Sequence, residues 1–203
     1  MMALRAAGPW PACCAAAFFC IFARMPTSDQ VIEQTRNWIT QVVIGCNFCP
    51  FAAREMWKNS VHFQVEPSTD PAECLNAFLQ ECLRLDNDPS IETSLLIFPV
   101  AFAGFNDYLK IVSQAETLLR KRGYEGTYQV ATFHPLYQFA KTRAEDAANY
   151  TNRSIYPMLH LLREAGVEQA LSHYPDADKI PARNIIFARK MGIAYMQKLR
   201  DGC

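Results

Sequence analysis

Two cysteines stand three residues apart in the run Cys46-Asn47-Phe48-Cys49-Pro50, and they are the most suggestive chemical signal in the chain. Pro50 fits the first position of a short helix reaching Trp57. That predicts Cys49 at the N-cap, where unpaired backbone N–H groups and the helix dipole stabilise a thiolate. A thiolate so placed suits a nucleophile or a redox thiol, with Arg54 on the same turn or the next to assist. The competing reading is a packed cysteine between Phe48 and Phe51, whose apolar surroundings would raise the thiol's pKa. Two familiar thiol motifs fail. Cys49 and Arg54 stand one residue too close for the phosphatase thiolate loop. The Cys-x-x-Cys follows a helical pattern, whereas the thioredoxin motif follows a strand.

A second signal is Phe133-His134-Pro135, a histidine leaving an apolar strand and locked by proline, which suits acid–base work or metal ligation. A third is Glu145–Ser154, dense in hydrogen-bonding side chains, with Asn149, Tyr150, Asn152 and an Arg153 whose planar fork matches carboxylate or phosphate. His160 follows, and the spacing of Met158, Leu161, Leu162 and Ala165 predicts a helix with His160 on its opposite, polar face. A Cys₂His₂ metal site built from Cys46, Cys49, His134 and His160 is the alternative, with zinc its metal. The usual short second ligand pair is missing from it, and nothing in the sequence requires a cofactor.

These residues need elements to hold them. Val31, Ile32, Thr35, Trp38, Ile39, Val42 and Val43 recur at helical spacing and end near Gly45. Val61–Val65 alternates as a short strand, and Asp70-Pro71 opens a helix carrying Cys74, Phe78 and Cys82 on its apolar stripe. Leu95–Phe98 reads as a strand covered on both faces. Phe105 to Leu119 reads as a helix stopped by Gly123, and Tyr128–Phe133 as a strand. Strand–helix–strand–helix–strand order predicts parallel pairing. The expected fold is therefore α/β: a small, mainly parallel three-stranded sheet covered by helices, with a helical C-terminal third beginning at Pro157. Sites in such sheets form beyond the strands' carboxyl ends, where Pro99 and His134 stand.

Residues 1–24 carry Arg5 and Arg24 and no acid, with an apolar run from Ala12 to Ala23 too short to span a bilayer. They read as an upstream start artefact or as a targeting segment. Thr27 and Gln30 form a capping box just after Met25, which favours a single α/β domain over residues 25–203. The whole chain has 203 residues, 50% hydrophobic, with Lys+Arg 20 against Asp+Glu 20. Setting Arg5 and Arg24 aside leaves 18 basic residues against those 20 acidic ones. That balance gives no broad basic surface for nucleic acid, and with no apolar run long enough to span a bilayer as a helix, no membrane partner is expected. Five cysteines remain (46, 49, 74, 82 and 203), an odd set without disulfide spacing, which points to a reducing, cytoplasmic setting. Export or an organelle is the alternative if residues 1–24 are a genuine targeting segment.

The motifs VIGCNFCPFA, SLLIFP, YQVATFHPLYQF and DAANYTNRSIYPMLHLLREA together resemble domain-of-unknown-function family 1415, small and mostly bacterial proteins. The resemblance covers nearly all of residues 28–200 and implies a start near Met25, but no reaction. It implies that the cysteine of CPFA, here Cys49, is the family's, while the place of Cys46 is usually apolar. That favours a single thiol over a dithiol. Ile155 stands where the family usually has proline. The expectation is a small enzyme with a thiol-centred site. Cys49 is the nucleophile or redox thiol and His134 its base, while Arg153, Asn149, Asn152, Tyr150 and Arg54 hold a small anionic substrate. A metal-binding protein and a non-catalytic binding module are the alternatives.

Overall fold

The computed structural model describes residues 25–172, 174 and 176–203; the expectations for residues 1–24 lie outside the described residues. Helix α1 (Ser28–Trp38) begins at the capping box: Gln30 N donates to Thr27 Oγ1 at 3.3 Å, and Thr27 N donates to Gln30 Oε1 at 2.9 Å. It runs straight into a π-helical turn, Ile39–Ile44, which ends at Gly45. Glycine is required there, because a Cβ would lie 2.2 Å from the Gln41 carbonyl oxygen. Helix α2 (Ala52–Trp57) is followed by strand β1 (Val61–Val65), helix α3 (Pro71–Asn87) and strand β2 (Thr93–Ile97). Asp70 caps α3, accepting from Ala72 N at 3.0 Å, with Pro71 in the first turn.

Helix α4 (Phe105–Lys121) leads to strand β3 (Tyr128–Phe133), with Gly123 just past the helix at φ +77°. A short 3₁₀ turn, Ala147–Thr151, precedes strand β4 (Met158–Arg163). The chain then closes with helices α5 (Glu164–Ser172), α6 (Ile180–Met191) and α7 (Ile193–Asp201).

Among the described residues, four strands make one mixed sheet in the order β1-β2-β4-β3. The α/β class holds, while the three-stranded, mainly parallel sheet is corrected. β1 and β2 pair in parallel, but β4 lies between β2 and β3 and is antiparallel to both. The expected helix after Pro157 is thus a central strand. Met158, Leu159 and Leu161 are all buried, so the segment is a run covered on both faces. The spacing of Met158, Leu161 and Leu162 mimics a helix, and an apolar run this short does not separate the two. Helix begins only at Glu164.

Each face of the sheet has its own core. On one, Leu96, Leu159 and Leu161 pack against Phe78 and Cys82 of α3 and Ile111 and Ala115 of α4. On the other, Phe63, Leu95, Ile97 and Met158 pack against Trp38, Val42 and Val43, closed off by Ala188 of α6 and Met196 of α7. The alternation of side chains along each strand sorts residues between these faces. In β4 it sends His160 to the second one, between Leu95 of β2 and Ala131 of β3.

Candidate functional site

Between that second face and the helices lies a cavity of about 290 Å³, at the small end of the range for ligand sites. Thr93, Leu95, Ala131, Phe133 and His160 form its floor. Trp38, Ile39 and Val43 close one side, Cys49 with α2 another, and Gly166, Val167 and Ala170 of α5 a third. Its surface is mainly apolar, interrupted by a few polar groups. The π-helical turn contributes Ile39 and Val43, so the widened helical turn borders the cavity directly.

The Cys46–Cys49 loop is held from behind by α6: Asn184 Nδ2 donates to Phe48 O at 2.7 Å, and Arg183 Nη2 donates to Asn47 O. Cys46 turns into the core, where burial pushes its thiol pKa up. Cys49 is half-buried and lines the cavity. It is not the N-cap of α2. Pro50 and Phe51 first make a turn, with Ala52 N donating to Cys49 O at 3.4 Å, and the helix starts at Ala52. Proline's fixed φ serves that turn as well as it serves a helix start. Arg54 also lines the cavity, ion-paired through Nε with Glu55 Oε1 at 2.9 Å.

His160 makes the most informative contact. Thr93 Oγ1 lies 2.6 Å from the Leu161 carbonyl oxygen and 2.6 Å from His160 Nε2. A carbonyl oxygen only accepts, so the single hydroxyl proton goes to Leu161 and Nε2 must donate to Thr93. Nδ1 then carries a free lone pair. It bonds to none of the described residues, yet it is not sealed from solvent, so it opens onto the cavity. Burial holds the imidazole neutral, with its pKa lowered to about 4.

His134 takes no part in this cavity. Its Nδ1 accepts from Leu136 N at 2.9 Å, which places the proton on Nε2, and Nε2 donates to Phe102 O at 2.8 Å. Both nitrogens are spent. The ring is fully buried between Phe105 and Tyr108, and burial lowers its pKa.

The polar loop is likewise occupied with itself. Asn149 is fully buried; its Oδ1 accepts from Phe139 N and Thr142 Oγ1, both at 3.0 Å, and its Nδ2 donates to Arg143 O at 2.8 Å. Arg153 Nε donates to Tyr137 O at 3.0 Å and Nη2 to Ala144 O at 2.8 Å, while its guanidinium lies 4.8 Å from the Tyr150 ring centre. Asn152 Nδ2 donates to Thr132 O at 3.2 Å. Asn149 and Arg153 satisfy backbone groups of the irregular connection itself, and Asn152 ties it to the end of β3. The fork that looked suited to an anion is filled by two carbonyls. Among the described residues, no three His, Cys, Asp or Glu side chains gather as a metal-ligand set, so Cys46, Cys49, His134 and His160 do not converge as one.

The structure therefore brings together Cys49, Arg54 and His160 and leaves His134, Asn149, Tyr150, Asn152 and Arg153 outside the cavity wall. Residues 30–198 match the family described as "Protein of unknown function (DUF1415)". The chain belongs to this family. No curated protein matches it, and no solved structure does. The match spans every element from α1 through most of α7, so all walls of the cavity are family territory. No helix among the described residues is long and apolar enough to cross a membrane. Glu92, Thr93, Arg163 and Gly166 are among the cavity residues that sequence reasoning passed over. Gly166 carried the one usable signal, a glycine inside a helical pattern.

Proposed function

We propose that the protein is a thiol-dependent enzyme acting on a small, mainly apolar molecule held in the cavity. Cys49 is the reacting group. His160 replaces His134 as the imidazole of the site, but with a different duty. An imidazole with a pKa near 4 does not strip a proton from a thiol in the ground state; it accepts a hydrogen bond and orients the substrate. The observation that supports this reading is the shared wall: one apolar cavity with a half-buried thiol and an unpaired imidazole nitrogen. A binding protein without catalysis is the second reading, favoured by the lowered pKa of His160, the one histidine among the described residues that lines the cavity.

Iodoacetamide labelling at pH 7.5, with the modified cysteines located by mass spectrometry, separates the two. An enzyme thiol at Cys49 labels faster than free glutathione and is protected by an apolar ligand. Labelling no faster than glutathione would remove the thiol from the chemistry and leave the binding protein. Cys74 and Cys82 are internal controls: burial first, then nearby carboxylates, push their pKa values up to about 11 and about 12, so neither labels in the folded protein.

A further inference from the structure

The polar groups on the cavity wall differ in how far other protein atoms already engage them. Arg163 lines it, yet its Nε donates to Ile91 O at 3.1 Å and its Nη2 to Asp88 O at 3.2 Å and to Leu85 O. Arg54 is paired with Glu55, and Glu55 Oε2 also accepts from Ser60 Oγ at 2.6 Å. Thr93 has given its proton to Leu161. His160 Nδ1 is an unpaired acceptor. Glu92 lines the same cavity, half-buried, and its carboxylate has neither hydrogen bond nor ion pair to the described residues. Its position depends on Gly166: a Cβ at residue 166 would meet Glu92 Oε1 at 1.6 Å. The missing side chain in α5 is what leaves room for the carboxylate.

An apolar chamber with two uncommitted acceptors, one of them anionic, complements a ligand with an apolar body and a donor-rich cationic end. We infer that the cavity takes a small apolar amine, whose ammonium is recognised by the Glu92 carboxylate and His160 Nδ1. This rests on the proposal that the cavity is the ligand site, and it replaces the anionic substrate with a cationic one. Arg163 has turned its Nε and Nη2 to backbone carbonyls and Arg54 is ion-paired with Glu55, whereas a carboxylate ligand would meet the Glu92 carboxylate and the His160 lone pair, neither of which can donate to it.

The test is calorimetric titration at pH 7.5 with three molecules of one shape: 2-phenylethylamine, 2-phenylethanol and phenylacetate. The amine binds tightest, the alcohol next through His160, and phenylacetate weakest. The amine leads phenylacetate by at least about tenfold, as a charge-assisted hydrogen bond warrants. Glu92→Gln removes the amine's advantage over the alcohol. Gly166→Ala does the same by displacing the carboxylate, while alanine's better helix propensity keeps α5 folded; a thermal melt verifies this. If phenylacetate binds as well as the amine, or Glu92→Gln leaves the order unchanged, the amine assignment is wrong while the cavity stands. If none of the three binds, the cavity itself is not the site and both readings fall.

Discussion

Acid should weaken this fold through His160, and the effect can be separated from every other titration in the chain. The folded pKa is about 4, against an unfolded value of about 6.5. The unfolded chain therefore binds the proton first as pH falls. Stability rises with pH wherever the unfolded state holds more protons, so the contribution is complete above about pH 6.5. It shrinks between 6.5 and 4 and is gone below 4. Linkage across that window gives a loss of about 2 kcal/mol by pH 5 and about 3 kcal/mol in all. His62 and His134 also have lowered pKa values and add a slope of the same sign. The informative quantity is therefore the difference between the wild type and His160→Gln, which keeps a donor for Thr93 and cannot titrate. Urea unfolding at half-unit steps from pH 8 to 4.5 should show the wild type losing about 2 kcal/mol more than the variant by pH 5. Parallel curves would refute the reasoning, because they would mean that His160 is solvated enough to protonate in the folded protein.

Three further outcomes follow from single contacts. Arg153→Lys keeps the charge but cannot reach Tyr137 O and Ala144 O with one planar fork, and should cost about 2 kcal/mol in urea unfolding. It should leave the affinity of a cavity ligand unchanged, since Arg153 does not line the cavity. Tyr108→Phe strips a buried hydroxyl that donates to Met158 O at 2.8 Å and accepts from Phe133 N at 3.0 Å, leaving both groups unpaired at a cost of about 1–3 kcal/mol in the same assay. Asp146→Ala breaks the two-point contact with Arg189 (Nε–Oδ1 3.1 Å, Nη2–Oδ2 2.7 Å) and the cap on Ala148 N. Most of that arginine is exposed, so the expected loss is about 1 kcal/mol, chiefly from the cap. A much larger loss would show that α6 depends on this bridge for docking.

What could be read from the chain followed local rules. The capping box at Thr27, the Asp70-Pro71 helix start and the alternation over residues 61–65 each depend on neighbours within one turn or one strand. All of these formed as expected. The sheet order was not legible, because β4 enters between β2 and β3 after a connection of more than twenty residues, and nothing local encodes that insertion. Parallel pairing of β2 with β3 was a reasonable inference from strand–helix–strand order. The two strands do run the same way, both antiparallel to β4, but they are not neighbours.

The candidate site shows why residue chemistry alone misleads. Asn149, Asn152 and Arg153 read as groups able to hold a ligand and His134 as a base, and each does form hydrogen bonds that its chemistry allows. Their partners are carbonyls and amides of the chain itself, in the irregular connection between β3 and β4, at the end of β3 and in the loop before α4. A buried loop has the same demand for donors and acceptors as a bound ligand, so composition cannot separate the two. What separates them is whether a polar atom remains unpaired where a ligand could reach it. Arg153 has its fork filled, and His134 has no lone pair left. His160 keeps Nδ1 open because Thr93 was obliged to spend its proton on Leu161. That distinction rests on a cross-strand contact between residues 93 and 160, in a register set by the whole sheet. The functional weight therefore moves from the conspicuous polar motif to a histidine whose neighbours in sequence are leucines.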